Sequence, residues 1–439
     1  MTVTRAHVAR PGRPQHPAGP PARASAPARH RAPTRWRAIV GAAAASALLC
    51  TLILSATIVA WRLSRPAPVI VCGTDPLQAA AVAGLADFAQ WLHREDATGF
   101  VGEVGWPSGP DADSWNALAD TWYRAADAIG LPVTAWAAGQ WPANYRMAVY
   151  RTGGAGSTLD SAGGQAAVVE AHPSTARYPR GVALAGGSFG SADPGFSNLS
   201  PGRYGPDYSY ENDAAYAYLA GRGVRLVRLA VSWERLQTRP FGPLADAEVD
   251  RVRTAVTRAA AAGLTVVLDL HGYGDYALGG PDGVRRVVLG GPELPADALA
   301  DLWSRLAAAT AGLPGLIGFG LLNEPSRLAA KGRDAALVWE RAAQQSVDAI
   351  RRAGARQTLL VSGYAQMAPG DWGRMHPHAW VRDPLRRVAY EAHDYFDQDN
   401  SGRYRTAYAD EMARFAATAP LCRRLVPLLR PPFTARRSA

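Results

Sequence analysis

Cysteine is scarce in this chain, with three residues in 439. That excludes a small scaffold stapled by disulfides. Histidine and cysteine nowhere fall at metal-ligand spacing, so no metal site is indicated and no cofactor is expected. Acidic residues are missing from residues 1–37, which hold eight arginines. That stretch supplies +8 of the formal +10, which leaves +2 for the remaining chain. A nucleic-acid-binding domain carries its basic charge on the folded part, so nucleic acid is not an expected partner. No internal repeat is visible beyond a rhythm of strands and helices.

Residues 1–37 are also poor in large apolar side chains and rich in Pro, Ala, Gly and Arg, the composition of a disordered tail. Residues 38–61 are apolar and free of charge, and a bilayer is crossed by roughly 20 such residues. The arginine excess before this run, against Arg62 and Arg65 after it, predicts a single membrane anchor with a cytoplasmic amino terminus. A cleaved signal peptide is the alternative. Either reading puts the domain beyond the apolar run outside the cytoplasm, at the cell membrane or secreted. Cys50 lies in the apolar run, and Cys72 and Cys422 lie at opposite ends of the exported part.

After a linker at 62–76, Leu77, Val82, Leu85, Phe88 and Leu92 share one helical face. A short strand comes next, at 99–107. Beyond it are a helix over 111–129, with Asp111 or Asp113 as its cap, and a strand at 132–138. Residues 173–181 have linker composition. Strands are then expected near 182–185, 225–231, 264–270, 316–322, 358–361 and 388–392. Helices are expected at 211–220, 245–262, 295–311, 331–352 and 404–417. Gly223, Gly263 and Gly312 fall where helices should stop. Eight strands alternating with helices predict an α/β fold, a (β/α)8 barrel.

Chemistry concentrates at strand ends. The run Leu316-Ile317-Gly318-Phe319-Gly320-Leu321-Leu322 reads as a buried parallel strand, and it stops at Asn323-Glu324-Pro325. Glu324 then sits at the strand's carboxyl end, where parallel α/β folds bind ligands. It could equally cap the next helix. Arg228 interrupts an apolar strand, His271 ends another, and His393 and Tyr395 end a third. Taken singly, each has a structural explanation. Together, at one edge of a barrel, they point to a site.

The motifs Arg228-Leu229-Ala230-Val231-Ser232-Trp233-Glu234-Arg235, Leu268-Asp269-Leu270-His271, Asn323-Glu324-Pro325 and His393-Asp394-Tyr395, with Gly181–Gly187, resemble consecutive strand motifs of glycoside hydrolase family 5. The resemblance implies a (β/α)8 barrel, a retaining mechanism and two catalytic glutamates. The family's nucleophile belongs on a seventh strand, in a Gly-Glu-x-Gly-like motif, and fewer than fifty residues after Tyr395 contain none. Gly102-Glu103-Val104-Gly105 resembles that motif, and Thr134–Gly139 resembles the eighth strand. The expectation is a circular permutation, with strands seven and eight in 77–172, a join at 173–181, strands one to six in 182–422, and a basic tail at 423–439. Such a permutation would bring Cys72 near Cys422, and a disulfide between them is expected.

By this resemblance Glu103 is the nucleophile and Glu324 the acid/base. Arg228 and Tyr395 would keep Glu103 ionised, and Asn323 would bind the sugar 2-hydroxyl. His271 and His393 would contact hydroxyls or the nucleophile's surroundings, and Trp136 would stack under the sugar. Trp106, Trp141, Trp233, Tyr273 and Trp372 are candidates for further sugar platforms or for packing. The implied activity is that of a monomeric endo-β-1,4-glucanase acting on β-linked polysaccharide. Mannanase or xylanase specificity, or an inactive carbohydrate-binding barrel, are the alternatives.

Overall fold

The protein is described from a computed structural model, covering residues 69–72, 75–152, 158–365, 367–416, 422–428 and 433. In chain order the elements begin with β1 (Val69–Cys72), α1 (Pro76–Arg94), β2 (Thr98–Gly105), α2 (Ala112–Ile129) and β3 (Val133–Gly139). The short pieces β4 (Tyr150–Arg151), β5 (Ser161–Ala162) and α3 (Ala166–Ala171) lead to β6 (Arg180–Leu184). Then come α4 (Asp213–Gly221), β7 (Leu226–Val231), α5 (Trp233–Leu236), α6 (Asp246–Ala261) and β8 (Thr265–Leu270). A hairpin of β9 (Asp275–Gly280) and β10 (Gly283–Val288) precedes α7 (Ala296–Ala309), β11 (Leu316–Gly320), α8 (Gly332–Arg352) and β12 (Thr358–Ser362). The last elements are α9 (Trp372–Met375), β13 (Val388–Tyr395), α10 (Tyr408–Phe415) and β14 (Cys422–Leu425).

Eight parallel strands close into a barrel in the spatial order β6, β7, β8, β11, β12, β13, β2, β3, with β3 returning to β6. The first two barrel strands in the chain thus lie between the last and the third. Helices pack outside on an apolar stripe. In α1 the expected residues Leu77, Val82, Leu85, Phe88 and Leu92 are all buried. Asp75 caps that helix by accepting from the Gln78 N–H at 2.7 Å, and Pro76 occupies its first turn, where no partner for an N–H is needed. Helix stops fall where expected, at Gly263 and Gly312, both at positive φ.

Several local expectations are corrected. Asp111 sits at the α2 cap position but makes no cap hydrogen bond there, and its carboxylate instead accepts from the Tyr408 N–H at the start of α10. The β9–β10 hairpin was not expected. β10 is exposed at its first four positions and carries two arginines, so the pair shows no continuous apolar run. Val69–Cys72, within the stretch read as a linker, forms an antiparallel ladder with Cys422–Leu425 that puts Cys72 directly across from Cys422. Phe433 lies in the stretch read as a tail, yet it meets Phe100 edge-on at 5.9 Å and packs against a cluster that includes Leu226, Val267, Leu360 and Ala389.

The fold expectation is also corrected on the membrane helix. Among the described residues no helix is long and apolar enough to cross a membrane, and the run expected to span it, 38–61, lies outside them. The described helices dock one face on a barrel and leave the other in water, so each needs polar residues along its length. Among the described residues the architecture is the barrel with its outer helices, the β9–β10 hairpin and the β1–β14 ladder.

Close strand approach explains one glycine. A Cβ at Gly181 in β6 would stand 1.9 Å from the Leu226 carbonyl oxygen of the neighbouring strand. That atom belongs to the sheet backbone and cannot rotate away. Gly181→Ala is expected to destabilise the barrel by about 2–3 kcal/mol, read as a lowered midpoint in urea unfolding. An unchanged midpoint would show that the strands separate freely at this point.

Candidate active site

Alternation along parallel strands sends every second side chain into the barrel. β7 delivers Arg228, β8 delivers Asp269, and β13 delivers Glu391 and His393. Arg228 is 1% exposed and spends its whole guanidinium on the site. Nη1 donates to Glu103 Oε1 at 2.8 Å, and Nε donates to Glu391 Oε1 at 2.8 Å. Nη2 donates to Asp269 Oδ1 at 2.9 Å and to Asn323 Oδ1 at 2.8 Å.

Glu103 reaches this cluster through a β-bulge. Along the β13–β2 ladder Ala392 pairs with Val101 but His393 pairs with Glu103, so Gly102 is the extra residue. A Cβ on Gly102 would stand 1.8 Å from Glu391 Oε1, so the position has no room for a side chain. The second oxygen of Glu103 accepts from the Tyr395 hydroxyl at 2.6 Å. Burial raises the Glu103 pKa, but His393, Arg228, His271 and the Tyr395 hydroxyl outweigh it and hold the carboxyl below its ordinary value. Glu103 is therefore a buried, ionised, doubly anchored carboxylate.

Glu324 lies just past β11 in a left-handed backbone conformation, φ 42°. A residue with a side chain seldom adopts this region. Its Oε1 lies 2.8 Å from His393 Nδ1. His393 Nδ1 also lies 3.6 Å from Glu103 Oε2, and Nε2 lies 3.7 Å from Glu391 Oε1. Burial lowers the His393 pKa, but Glu103, Glu324 and Glu391 together push it up to about 10. The ring is thus an imidazolium at neutral pH, wedged among three carboxylates. One ligand-type atom each of Glu103, Glu324 and His393 fall within 4.8 Å of one another. Spacing along the chain gave no hint of such a cluster. These groups could hold a cation, although the imidazolium already supplies positive charge at that point.

The eight residues given catalytic or sugar-binding roles from the sequence, Glu103, Trp136, Arg228, His271, Asn323, Glu324, His393 and Tyr395, converge here. Asn323 accepts from Arg228, which leaves its amide nitrogen as a donor. His271 is held by Asp269, Nδ1 to Oδ2 at 2.7 Å, and stacks on Trp136 with ring centres 5.4 Å apart and planes 6° apart. Trp136 donates to the Tyr145 hydroxyl at 2.6 Å, and the Trp136–Ala137 peptide is cis. Asp269, Glu391 and Tyr145 were given no role from the sequence. For two of them the signal was present, because Asp269 and Glu391 each stand two residues before a site histidine and so share its face of the strand.

An open cleft of about 250 Å³ meets the site at Trp136 and His271. Trp141, Trp233 and Tyr273 also line it, as sugar platforms would. Trp106 and Trp372 do not. Trp106 donates to Asn116 and packs on Tyr123, and Trp372 packs among Phe88, Trp91 and Tyr390. The two glutamates are nearly buried and do not line the cleft.

The histidine makes stability pH-dependent. Its pKa in the folded protein lies above the ordinary 6.5, so the stabilisation is complete below about 6.5 and is lost as pH rises towards 10. The unfolding free energy should fall more steeply across this window in the wild type than in His393→Gln, measured by urea titration at several pH values. Parallel slopes would mean that His393 is neutral.

The family model described as cellulase (glycosyl hydrolase family 5) matches residues 187–420, just over half of the chain. The match contains Arg228, His271, Asn323, Glu324, His393 and Tyr395, and it begins after Glu103 and Trp136. Manganese dependent endoglucanase Eg5A of Phanerodontia chrysosporium is 27% identical over 250 residues, 55% of this chain and 60% of that one. Endo-beta-1,4-glucanase A of Emericella nidulans is 29% identical over 205 residues, 46% and 57% of the two chains. The chain therefore spans less than two thirds of the length of these relatives. The solved structure of Pseudomonas stutzeri endoglucanase Cel5A is 31% identical, covers 54% of this chain and 70% of that chain, and superposes with a TM-score of 0.45. With its matched span covering Arg228, His271, Glu324, His393 and Tyr395 together, this chain belongs to glycosyl hydrolase family 5.

Proposed function

We propose that the protein is a retaining endo-β-1,4-glucanase, with Glu103 as nucleophile and Glu324 as acid/base. The observation that carries this reading is the approach of a Glu103 oxygen and a Glu324 oxygen to within 4.8 Å. Retaining enzymes hold their carboxyl groups about 5–5.5 Å apart, whereas inverting enzymes need roughly 6.5–9.5 Å to admit water. The names of the relatives favour a glucan over mannan or xylan. A polymer of this kind does not enter a cell, which favours action outside the cytoplasm, and no step calls for a second subunit.

In the first step Glu324 protonates the leaving oxygen while Glu103 attacks the anomeric carbon. Arg228 and Tyr395 keep Glu103 ionised and aimed, so little reorganisation remains at the moment of attack. Asn323 offers its amide N–H to the 2-hydroxyl, and Trp136, braced by His271 and Tyr145, lies under the ring. Once Glu103 is esterified its negative charge is gone. Glu324, having given its proton to the leaving group, is the base that takes a proton from water in the second step.

We also infer a circular permutation. The family match begins at residue 187, after β6 and after both strands that carry Glu103 and Trp136. Those strands fill the gap between β13 and β6. Residues 173–181 are then the join between old ends, and the new ends meet at β1 and β14. A Cys72–Cys422 disulfide would lock that meeting point. Opposed backbone positions support it, and Cys422 is not free. Closing a loop of this length contributes on the order of 6 kcal/mol in the chain-entropy account.

Two outcomes test these proposals. Glu103→Gln and Glu324→Gln should each slow cello-oligosaccharide hydrolysis by roughly 10³-fold or more, and proton NMR of the wild-type reaction should show the β-anomer released first. Substantial turnover by Glu103→Gln, or an α-anomer, would sink the assignment. A non-reducing peptide map should join the Cys72 and Cys422 peptides, and two free thiols would rule the bond out.

A further inference from the structure

Beyond the catalytic cluster, the cleft has a charged wall that the hydrolytic chemistry does not use. Arg286 on β10 and Arg327, three residues after Glu324, both line it and both lean on one carboxylate, Asp275. Arg286 Nη1 and Arg327 Nη1 each lie 3.2 Å from Asp275 Oδ2. The Asp275 side chain is 3% exposed, while Arg286 and Arg327 keep 35% and 50% of their side chains exposed. The acid is therefore underneath and the cations face the cleft.

The wall is built to hold these groups in place. Arg286 Nη2 also donates to the Ser191 carbonyl. Arg327 lies over the Tyr273 ring at 4.9 Å, and its backbone N–H donates to the Tyr273 carbonyl at 2.7 Å. One buried carboxylate does not neutralise two guanidiniums. The other acid lining this cleft, Glu234, is 6% exposed and accepts from the Ala277 N–H. Its burial raises its pKa, which weakens its charge further. The solvent-facing charge on this wall is positive.

A neutral glucan offers hydroxyls and ring faces, which the aromatic residues and serines of the cleft already suit. Two guanidiniums held side by side add something different. Their planar forks match a carboxylate and bind it by charge-assisted hydrogen bonds. We propose that Arg286 and Arg327 form a subsite for a carboxylate group carried on the β-1,4-glucan, so that the enzyme prefers acid-substituted glucan to neutral glucan. Asp275 is the positioning residue that splays the two cations towards the cleft. The inference rests on the glucanase reading and narrows its substrate class.

The test compares carboxymethyl cellulose with hydroxyethyl cellulose, by initial rates and by affinity electrophoresis, for the full chain and for Arg286→Gln/Arg327→Gln. The wild-type preference for the anionic polymer should shrink as salt rises. The double variant should lower the anionic-to-neutral ratio by about fivefold in both readouts, because both charge-assisted contacts to the carboxylate are lost. Arg286→Lys/Arg327→Lys should retain part of the preference, because charge survives while the fork is lost. A ratio that is equal in wild type and double variant would overturn the subsite, as would a wild-type preference indifferent to salt. Hydrolysis of the neutral polymer reads the glucanase proposal separately. Electrophoretic binding reads the subsite even where turnover is absent.

Discussion

A single buried guanidinium organises this molecule. Arg228 sits inside the barrel with carboxylates of Glu103, Asp269 and Glu391 around it, together with the Asn323 amide. Desolvation of such a cation costs several kcal/mol, and only well-placed partners offset it. Here every nitrogen is engaged, so the cluster holds only in one arrangement of four strands and one loop. Removing any partner leaves a buried guanidinium N–H without its acceptor. The barrel's register near the site is therefore tied to the ionisation of its nucleophile candidate.

The second cation extends the same logic. Four carboxylates gather around Arg228 and His393, and the excess negative charge is what pulls a proton onto the histidine. His393 then couples Glu103 to Glu324 by sitting between them. Burial raises the pKa of Glu103 and of Glu391, and the cations Arg228 and His393 outweigh it in both. A site of this kind is prepared before substrate arrives, because its charges are fixed by folding and not by the ligand. The cost appears locally, in the left-handed backbone of Glu324 and in the bulge at Gly102.

At the opposite chemical extreme, apolar contacts seal the barrel. Phe100, Leu226, Val267, Leu360 and Ala389 form a small cluster of their own, and Phe433 closes over it from near the chain's end. The β1–β14 ladder joins segments about 350 residues apart in sequence. These contacts come from stretches whose proline and arginine content reads as linker and tail. Composition reports whether a segment can form a core of its own, not whether it can dock on one that already exists.

Local residue patterns specify the alternation of strand and helix, the amphipathic stripe of α1, the helix stops, and the set of polar residues placed at strand ends. Periodicity and strand-end position are local, so they are written in neighbouring residues. Glu103, Arg228, Asn323, Glu324, His393 and Tyr395 were legible because each interrupts or ends an apolar run. Which of these meet is set by the closed barrel. It paired Gly102 with the Glu391 carboxylate, enlisted Asp269 and Tyr145 as supports, and set Arg286 and Arg327 over one aspartate. Those relations join positions tens to hundreds of residues apart, and they depend on barrel closure and strand register, which no local pattern encodes.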